Sequence, residues 1–504
     1  MPHGRLVTGG RRVNESNRAL RPSAPPSVRI AVLIAGALGG LLLVGVEPGL
    51  NWILVAAAVA AAAGRRALTW DPIIFGGLSL ALVATALYTS SASQLIVNLL
   101  VALGVASLAA APARTWIEVA VGFGAAGWRM PAALGWILRR THRPSSPAVT
   151  TGTLRVVRGL ALGGLLLVVF GTLFASADRA FAQLADEVLR VPPVDFGLLP
   201  ARLVVAVVVG VFAAALASFA PGLEVGRGGP IEWVDGLRSS IGVPRRRRLG
   251  RTEWATALVM LDALFLLFVI VQITVLFGGR DHVLDTAGLT YAQYARSGFF
   301  QLVAVAGLTL LVLGFFARYA QRSSPRDDLL LKVLGGALLV LTLVVLASAL
   351  KRLVLYEEVF GLTRLRVAVH ASILWLTGMF AIVSVAGFRM NARWLPRAAV
   401  VVSTASLLAF TLVRPDALIA EHNVERFERT GRIDVSYLAG LSPDAVPALA
   451  TLPEPERTCA LAALRYELAE PTGIWALNFA RDAARKVLSN TPESASSLAA
   501  CPYS

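Results

Sequence analysis

The residues best placed to do chemistry in this chain are ionisable side chains stranded in apolar sequence. Asp262 lies near the middle of the apolar run Trp254–Phe277. At the centre of a bilayer an ionised carboxylate costs roughly 2.5–3.5 kcal/mol on insertion scales, so it must face a partner or a wet cavity. Two readings stay open: a proton or cation relay, and a protonated or hydrogen-bonded side chain that holds neighbouring helices together. Gln272, ten residues on, falls about 80° round a helix from it, so the two line neighbouring parts of one interior face. His370 opens another apolar run, Val367–Phe388, and is the third polar group expected at membrane depth.

Polarity concentrates again between the later apolar runs. Arg280, Asp281, His282 and Asp285 precede Tyr291, Tyr294 and Arg296; further on come Lys351, Arg352, Tyr356, Glu357, Glu358, Thr363, Arg364 and Arg366. Opposite charges at the mouth of a helix bundle suit a zwitterion or an anionic head group, with arginine as a fork and the carboxylates as counter-ions. The expected ligand-binding set is therefore Tyr291, Tyr294, Arg296, Glu357, Glu358, Arg364 and Arg366. The competing reading is a charge belt that fixes helix depth. Asp281, His282 and Asp285 offer three metal ligands within one turn, but no further histidine or cysteine cluster accompanies them, so neither a metal nor a cofactor is expected.

Enzyme readings find little support. Glu357-Glu358 with Arg364 is similar in kind to the paired glutamates and arginine of intramembrane prenyl-protein proteases. Here the arginine falls too far downstream and the later histidine motifs are missing. Membrane glycosyltransferases that use lipid-linked sugars carry acidic residues in a sizeable first outer loop, whereas this one is little more than Glu47-Pro48-Gly49. There is no Walker A sequence to cradle phosphates and no His-Glu-x-x-His helix to hold zinc.

The elements that must position these groups are apolar helices. Of the 504 residues 56% are hydrophobic and 15% charged, and the mean hydropathy is +0.67. Apolar runs this long and frequent need lipid as their solvent. The net charge of +16 sits in short arginine clusters between apolar runs instead of on one face of a soluble domain, which argues against nucleic acid. Candidate spans, near the length a bilayer core demands although the second is short, are Ile30–Val46, Leu50–Ala63, Pro72–Tyr88, Gln94–Ala111, Gly159–Ser176, Ala201–Ala220, Trp254–Phe277, Gly298–Phe316, Leu331–Leu350, Val367–Phe388 and Ala398–Val413. The expected fold is thus all-α, a polytopic transmembrane bundle of about eleven spans. Thr115–Leu138 is apolar too, but Glu118, Arg129 and Pro131 interrupt it and Trp116, Trp128 and Trp136 anchor it, which favours an in-plane segment.

Arginine clusters alternate along the chain: Arg11 to Arg29, Arg65–Arg66, Arg139 to Arg143, Arg245–Arg248, Arg318 to Arg326 and Arg389 to Arg397. The use of Arg for nearly every basic residue, with only Lys332, Lys351 and Lys486 as exceptions, suggests a GC-rich bacterial genome. The positive-inside bias then places these clusters in the cytoplasm, with the N-terminus there and residues 414–504 outside the cytoplasmic membrane. The run Ile30–Val46 lacks a clean small-x-small cleavage site and is expected to stay as a helix. Four regions follow: a basic segment over 1–29, four spans with the basic loop over 30–158, seven spans over 159–413, and a helical tail over 414–504. Ser442-Pro443-Asp444 and Thr451 with Pro453 and Glu454 are expected to start short helices in that tail. Both cysteines, Cys459 and Cys501, lie in it; outside the membrane they would pair as a disulfide, with two free thiols as the alternative.

Several blocks resemble a bacterial multi-pass membrane family catalogued only as a domain of unknown function. They are Leu173-Phe174-Ala175-Ser176-Ala177-Asp178, Leu276-Phe277-Gly278-Gly279, and Leu289-Thr290-Tyr291-Ala292-Gln293-Tyr294-Ala295-Arg296-Ser297-Gly298-Phe299-Phe300. Tyr356 with Gly361-Leu362-Thr363-Arg364-Leu365-Arg366 follows, then Pro415-Asp416-Ala417-Leu418-Ile419-Ala420, Asn423, Asp434, Tyr437-Leu438 and Ser442-Pro443-Asp444-Ala445-Val446-Pro447. The resemblance runs from about Leu154 into the tail and implies a membrane location without an activity or cofactor. The functional expectation is a non-enzymatic membrane protein whose outer vestibule binds or transports a small solute or lipid head group. The alternatives are an interaction or signalling subunit with an envelope partner, and an enzyme on a lipid-linked substrate with Glu357 or Glu358 as general base. Membrane lipids are its expected neighbours.

Overall fold

The structure, a computed structural model, describes residues 24–64, 70–111, 115–139, 197–219, 249–277, 299–469, 474–492 and 501. These are all helical apart from turns and one isolated bridge between Leu249 and Ala320. In chain order the helices are α1 (Pro26–Leu42), α2 (Leu50–Ala63), α3 (Trp70–Ala84), α4 (Ala92–Ala110), α5 (Trp116–Leu138), α6 (Leu199–Ala217), α7 (Arg251–Phe277) and α8 (Phe299–Tyr319). There follow α9 (Pro325–Phe360), α10 (Arg364–Arg389), α11 (Leu395–Leu412), α12 (Pro415–Thr430), α13 (Val435–Ala439), α14 (Val446–Leu449), α15 (Glu456–Glu467) and α16 (Phe479–Asn490). Seven of them, α4 and α6 to α11, are long and apolar enough to cross a membrane; α1, α2 and α3 are shorter apolar helices. The span expected at Gly159–Ser176 lies outside the described residues.

One half of the bundle is built from α1 to α6, the other from α7 to α10, and α11 packs against both α10 and the α3–α5 group. Small residues set the closest approach, between α1 and α6. A Cβ at Gly36 would lie 2.7 Å from the Ala206 carbonyl oxygen, and one at Gly40 would lie 2.5 Å from that of Arg202. Without side chains there, backbone meets backbone, which is how helices associate where lipid supplies no hydrophobic drive.

Helix α5 is unbroken through Pro131 and starts with a capping box, Thr115 with Glu118. It lies across one end of the bundle. Ser107, in the last turns of α4, donates to the Gly122 carbonyl at 2.6 Å, and Trp136 packs with Ala24 before α1 and Ala217 at the end of α6. Arg29 donates to the Arg139 carbonyl at the same end. At the other end Leu198, before α6, meets Gly45, after α1. Arg318, Arg322, Arg326, Arg389, Arg393 and Arg397 fall on the helix ends that face away from the tail.

Residues 351–360, expected as loop, are instead the last turns of α9. Its N-terminus is fixed by Pro325 and a Ser324–Asp327 capping box, and Gly361, at φ 75°, stops it. Thirty-six residues make a helix about 54 Å long, against a hydrocarbon core of about 30 Å, so α9 overruns any bilayer it crosses. Helices α12 to α16 form a separate small core around Ile419, Leu438, Val446, Leu449, Leu461 and Leu464, seated on the ends of α2, α3, α4 and α10.

Candidate functional site

Polar residues spaced one turn apart on α9 meet α7 and α10. Gln272 of α7 is buried, and its Oε1 accepts from Ser348 Oγ at 2.9 Å and from Arg352 Nη2 at 2.8 Å. A turn beyond Arg352, the Tyr356 ring carries the Arg366 guanidinium 4.4 Å from its centroid, and Arg366 also donates to the Gly361 carbonyl. Next to it, Glu357 is buried, with Oε1 3.4 Å from His370 Nδ1. That oxygen has no hydrogen bond among the described residues. The His370 nitrogen also lies 3.2 Å from the Arg366 carbonyl. Carboxylate, imidazole and guanidinium thus converge where α9 turns into α10, a combination able to hold a zwitterion or to pass a proton.

Asp262 shares the face of α7 that carries the buried Leu258 and Val269 and so points into the helix packing, not at lipid. Neither carboxylate oxygen has a hydrogen-bond partner among the described residues.

Beside this cluster the tail grips the bundle. Asp416 takes a two-pronged bond from Arg364, Nε at 2.8 Å and Nη2 at 2.7 Å, and a third from the Ser442 N–H at 2.9 Å. Burial alone would push its carboxyl up, but the bonds from Arg364 and Ser442 outweigh that and hold it below the ordinary carboxylate range. Ser442 Oγ bonds Asp444 at 3.0 Å. Asp444 in turn accepts from Thr89 Oγ1 and Ser90 N–H at 2.9 Å, from Ser90 Oγ at 3.0 Å and from Arg414 Nε at 3.0 Å. The α9–α10 turn is held by Asn423, whose amide mimics a strand: Leu362 N–H donates to Oδ1 at 3.1 Å and Nδ2 donates to the Leu362 carbonyl at 2.8 Å. Tyr437 Oη accepts from the Arg364 N–H at 2.7 Å. Asn478 donates to the carbonyls of Ala86 and Thr89, and Arg481 reaches Glu47 at 3.1 Å. Cys459 and Cys501 are disulfide-bonded.

The family model described as Domain of unknown function (DUF4153) matches residues 76–452. The chain belongs to this family. No curated protein matches the chain, and no solved structure does. The DUF4153 match takes in the whole α9–α10 cluster and most of the tail's grip. It starts inside α3, well before the blocks that carried the resemblance, and ends before α15, so the disulfide lies beyond it.

Of the residues expected to bind a ligand, the DUF4153 fold brings Glu357 and Arg366 together with His370. It places the exposed Glu358 on the same turn, and commits Arg364 to Asp416. Tyr291, Tyr294 and Arg296 lie outside the described residues. Sequence reasoning did not assign site roles to Asp416, Asn423, Ser442 and Asp444. They were visible only as family-like blocks, and these blocks turn out to be the tail's contacts with helix ends.

Proposed function

We propose that this DUF4153 protein is a multi-pass protein of the bacterial cytoplasmic membrane that binds a small zwitterionic or anionic solute, or a lipid head group, at the outer mouth formed by α9 and α10. One observation carries the reading: a buried carboxylate, Glu357, sits between His370 and Arg366 with one oxygen unclaimed by any hydrogen bond among the described residues. A buried ionisable group of this kind is kept where it has a partner to meet. Arg364, tied to the tail, serves to hold the site's rim in place. Tyr291, Tyr294 and Arg296 are assigned to the same mouth on sequence grounds, and Glu358 to its outer edge. No catalytic step is assigned.

The proposed topology has about eleven spans, with the basic N-terminus in the cytoplasm, Gly159–Ser176 as the fifth span, α5 in the plane of the inner face, and the tail outside. The alternation of helix ends supports it: the arginine-bearing ends face away from the tail, and the chain stands at one end at Arg139 and at the other at Leu198. Transport through the bundle, with Asp262 as a relay, is the stronger version of the binding reading.

The deciding experiment is mass spectrometry of what remains bound after gentle detergent purification of wild type and of Glu357→Gln. A small molecule or lipid retained by wild type and lost in the variant supports the site; equal retention removes it. An interaction subunit is the second reading, favoured by the ordered tail. In that case a protein partner co-purifies, and its loss on deleting residues 414–504 separates the two.

A further inference from the structure

The tail's described residues expose few large apolar side chains, and those few are not scattered. Leu418 is 37% exposed, Tyr466 89%, Trp475 49% and Phe479 56%. The three aromatics fall in one short stretch, and that stretch is the part of the tail lowered onto the ends of α1, α2 and α3. Gly49 abuts its backbone so closely that a Cβ would lie 2.5 Å from the Leu477 carbonyl oxygen. Asn478 bonds Ala86 and Thr89, and Arg481 bonds Glu47 and the Pro48 carbonyl. Glu467, beside Tyr466, has its carboxyl pushed up by burial and by the nearby Glu47. Immediately along the bundle, Leu41 near the end of α1 is 60% exposed and Leu54 in α2 is 36% exposed, as befits side chains facing lipid.

We infer that Tyr466, Trp475 and Phe479 form a membrane-contacting lip, which rests the tail on the head-group and upper acyl layer of the bilayer next to α1 and α2. Tyrosine and tryptophan, with an apolar body and a polar edge, prefer that layer, and Phe479 adds apolar surface beside them. Exposed aromatics held at the ends of α1, α2 and α3, where those apolar helices leave the hydrocarbon layer, need no protein to cover them. The partner is therefore phospholipid. The lip also accounts for the polar hinge beside it: Glu47, Arg481 and Asn478 fix its height, while the aromatics fix its tilt. The inference holds on whichever side of the membrane the tail lies.

The test is tryptophan quenching in nanodiscs of phosphatidylcholine brominated either high or low on the acyl chain. The Trp475 signal is taken as wild type minus Trp475→Phe, and a gained signal as Tyr466→Trp minus wild type. Exposed Trp116, Trp128 and Trp375 of the bundle report separately whether the helices sit in lipid at all. Both tail signals should lose most of their emission to bromine high on the chain, less to bromine low on it, and little to aqueous iodide. Quenching by iodide with none by bromolipid overturns the lip. So does protection from both quenchers, which would mean that protein covers the aromatics. Should Trp475→Phe fail to fold, the Tyr466→Trp signal alone decides, since that side chain is almost wholly exposed.

Discussion

Arg364 grips Asp416 edge-on across 52 residues of sequence, both guanidinium prongs meeting both carboxylate oxygens. The aspartate is buried and the arginine half-exposed, so the pair resembles a plug whose outer side is wet. Arg364→Lys keeps the charge but loses the fork. It should lower stability by about 1–3 kcal/mol, discounted from a fully buried pair for solvent screening. The fall should appear as a lower melting temperature in detergent; no change in melting would show that the fork does not hold the tail.

The same pair predicts a pH profile. A carboxyl whose value is depressed on folding adds stability above its unfolded value and loses it as pH falls through the folded one. Asp416 is depressed despite its burial, and an unfolded aspartate titrates near pH 3.9. The advantage of wild type over Asp416→Asn should thus stay constant from about pH 7 to about pH 5 and shrink only below about pH 4. An advantage already lost near pH 6 would assign the tail's anchoring to a histidine instead.

Asp444 is the second anchor, and it reaches a different loop. Its Oδ2 gathers Thr89, Ser90 and Ser442 while Oδ1 holds Arg414. An amide could accept some of those bonds but would oppose Arg414 without charge. Asp444→Asn should therefore free the α3–α4 loop more than the α9–α10 turn. Hydrogen exchange over residues 85–91 should rise with little change over 361–364; a uniform rise across both would mean that the tail leaves as one body.

The apolar helices were largely legible in the sequence because periodic apolar runs are a strong, local signal. Leu50–Ala63 emerges with the expected ends, and α5 spans the segment singled out for its proline, charges and tryptophans. The extension of α9 through Glu357 and Glu358 was not legible. Lysine, arginine and glutamate there look like loop to a hydropathy reading, yet all are good helix formers, and only Gly361 stops the helix. Of the candidate site, the convergence of Glu357, Arg366 and His370 involves residues that stand out by charge, but Gln272–Arg352 and Arg364–Asp416 are contacts between distant segments that no local pattern encodes.

The disulfide ties Cys459 in α15 to Cys501 across 42 residues. Closing a loop of that size in the unfolded chain stabilises by roughly 3–4 kcal/mol in the chain-entropy account. Cys459→Ser should accordingly make the segment after α16 sensitive to protease while the bundle's melting stays near wild type. Equal protease resistance with and without reductant would show that packing alone secures the chain's end.

Gly361 tests the turn between α9 and α10 most sharply. Its φ is 75°, and an added Cβ would lie 2.2 Å from Asn423 Oδ1. Alanine there bears about 1–3 kcal/mol of backbone strain and also drives Asn423 off Leu362, breaking both amide bonds. Asn423→Ala alone loses those bonds but removes the obstructing oxygen. The double variant then suffers the strain without the clash, so its loss should fall short of the sum of the two single losses by at least about 0.5 kcal/mol. Additive losses would mean that the turn yields elsewhere, and that the tail does not set the position of Glu357 against His370.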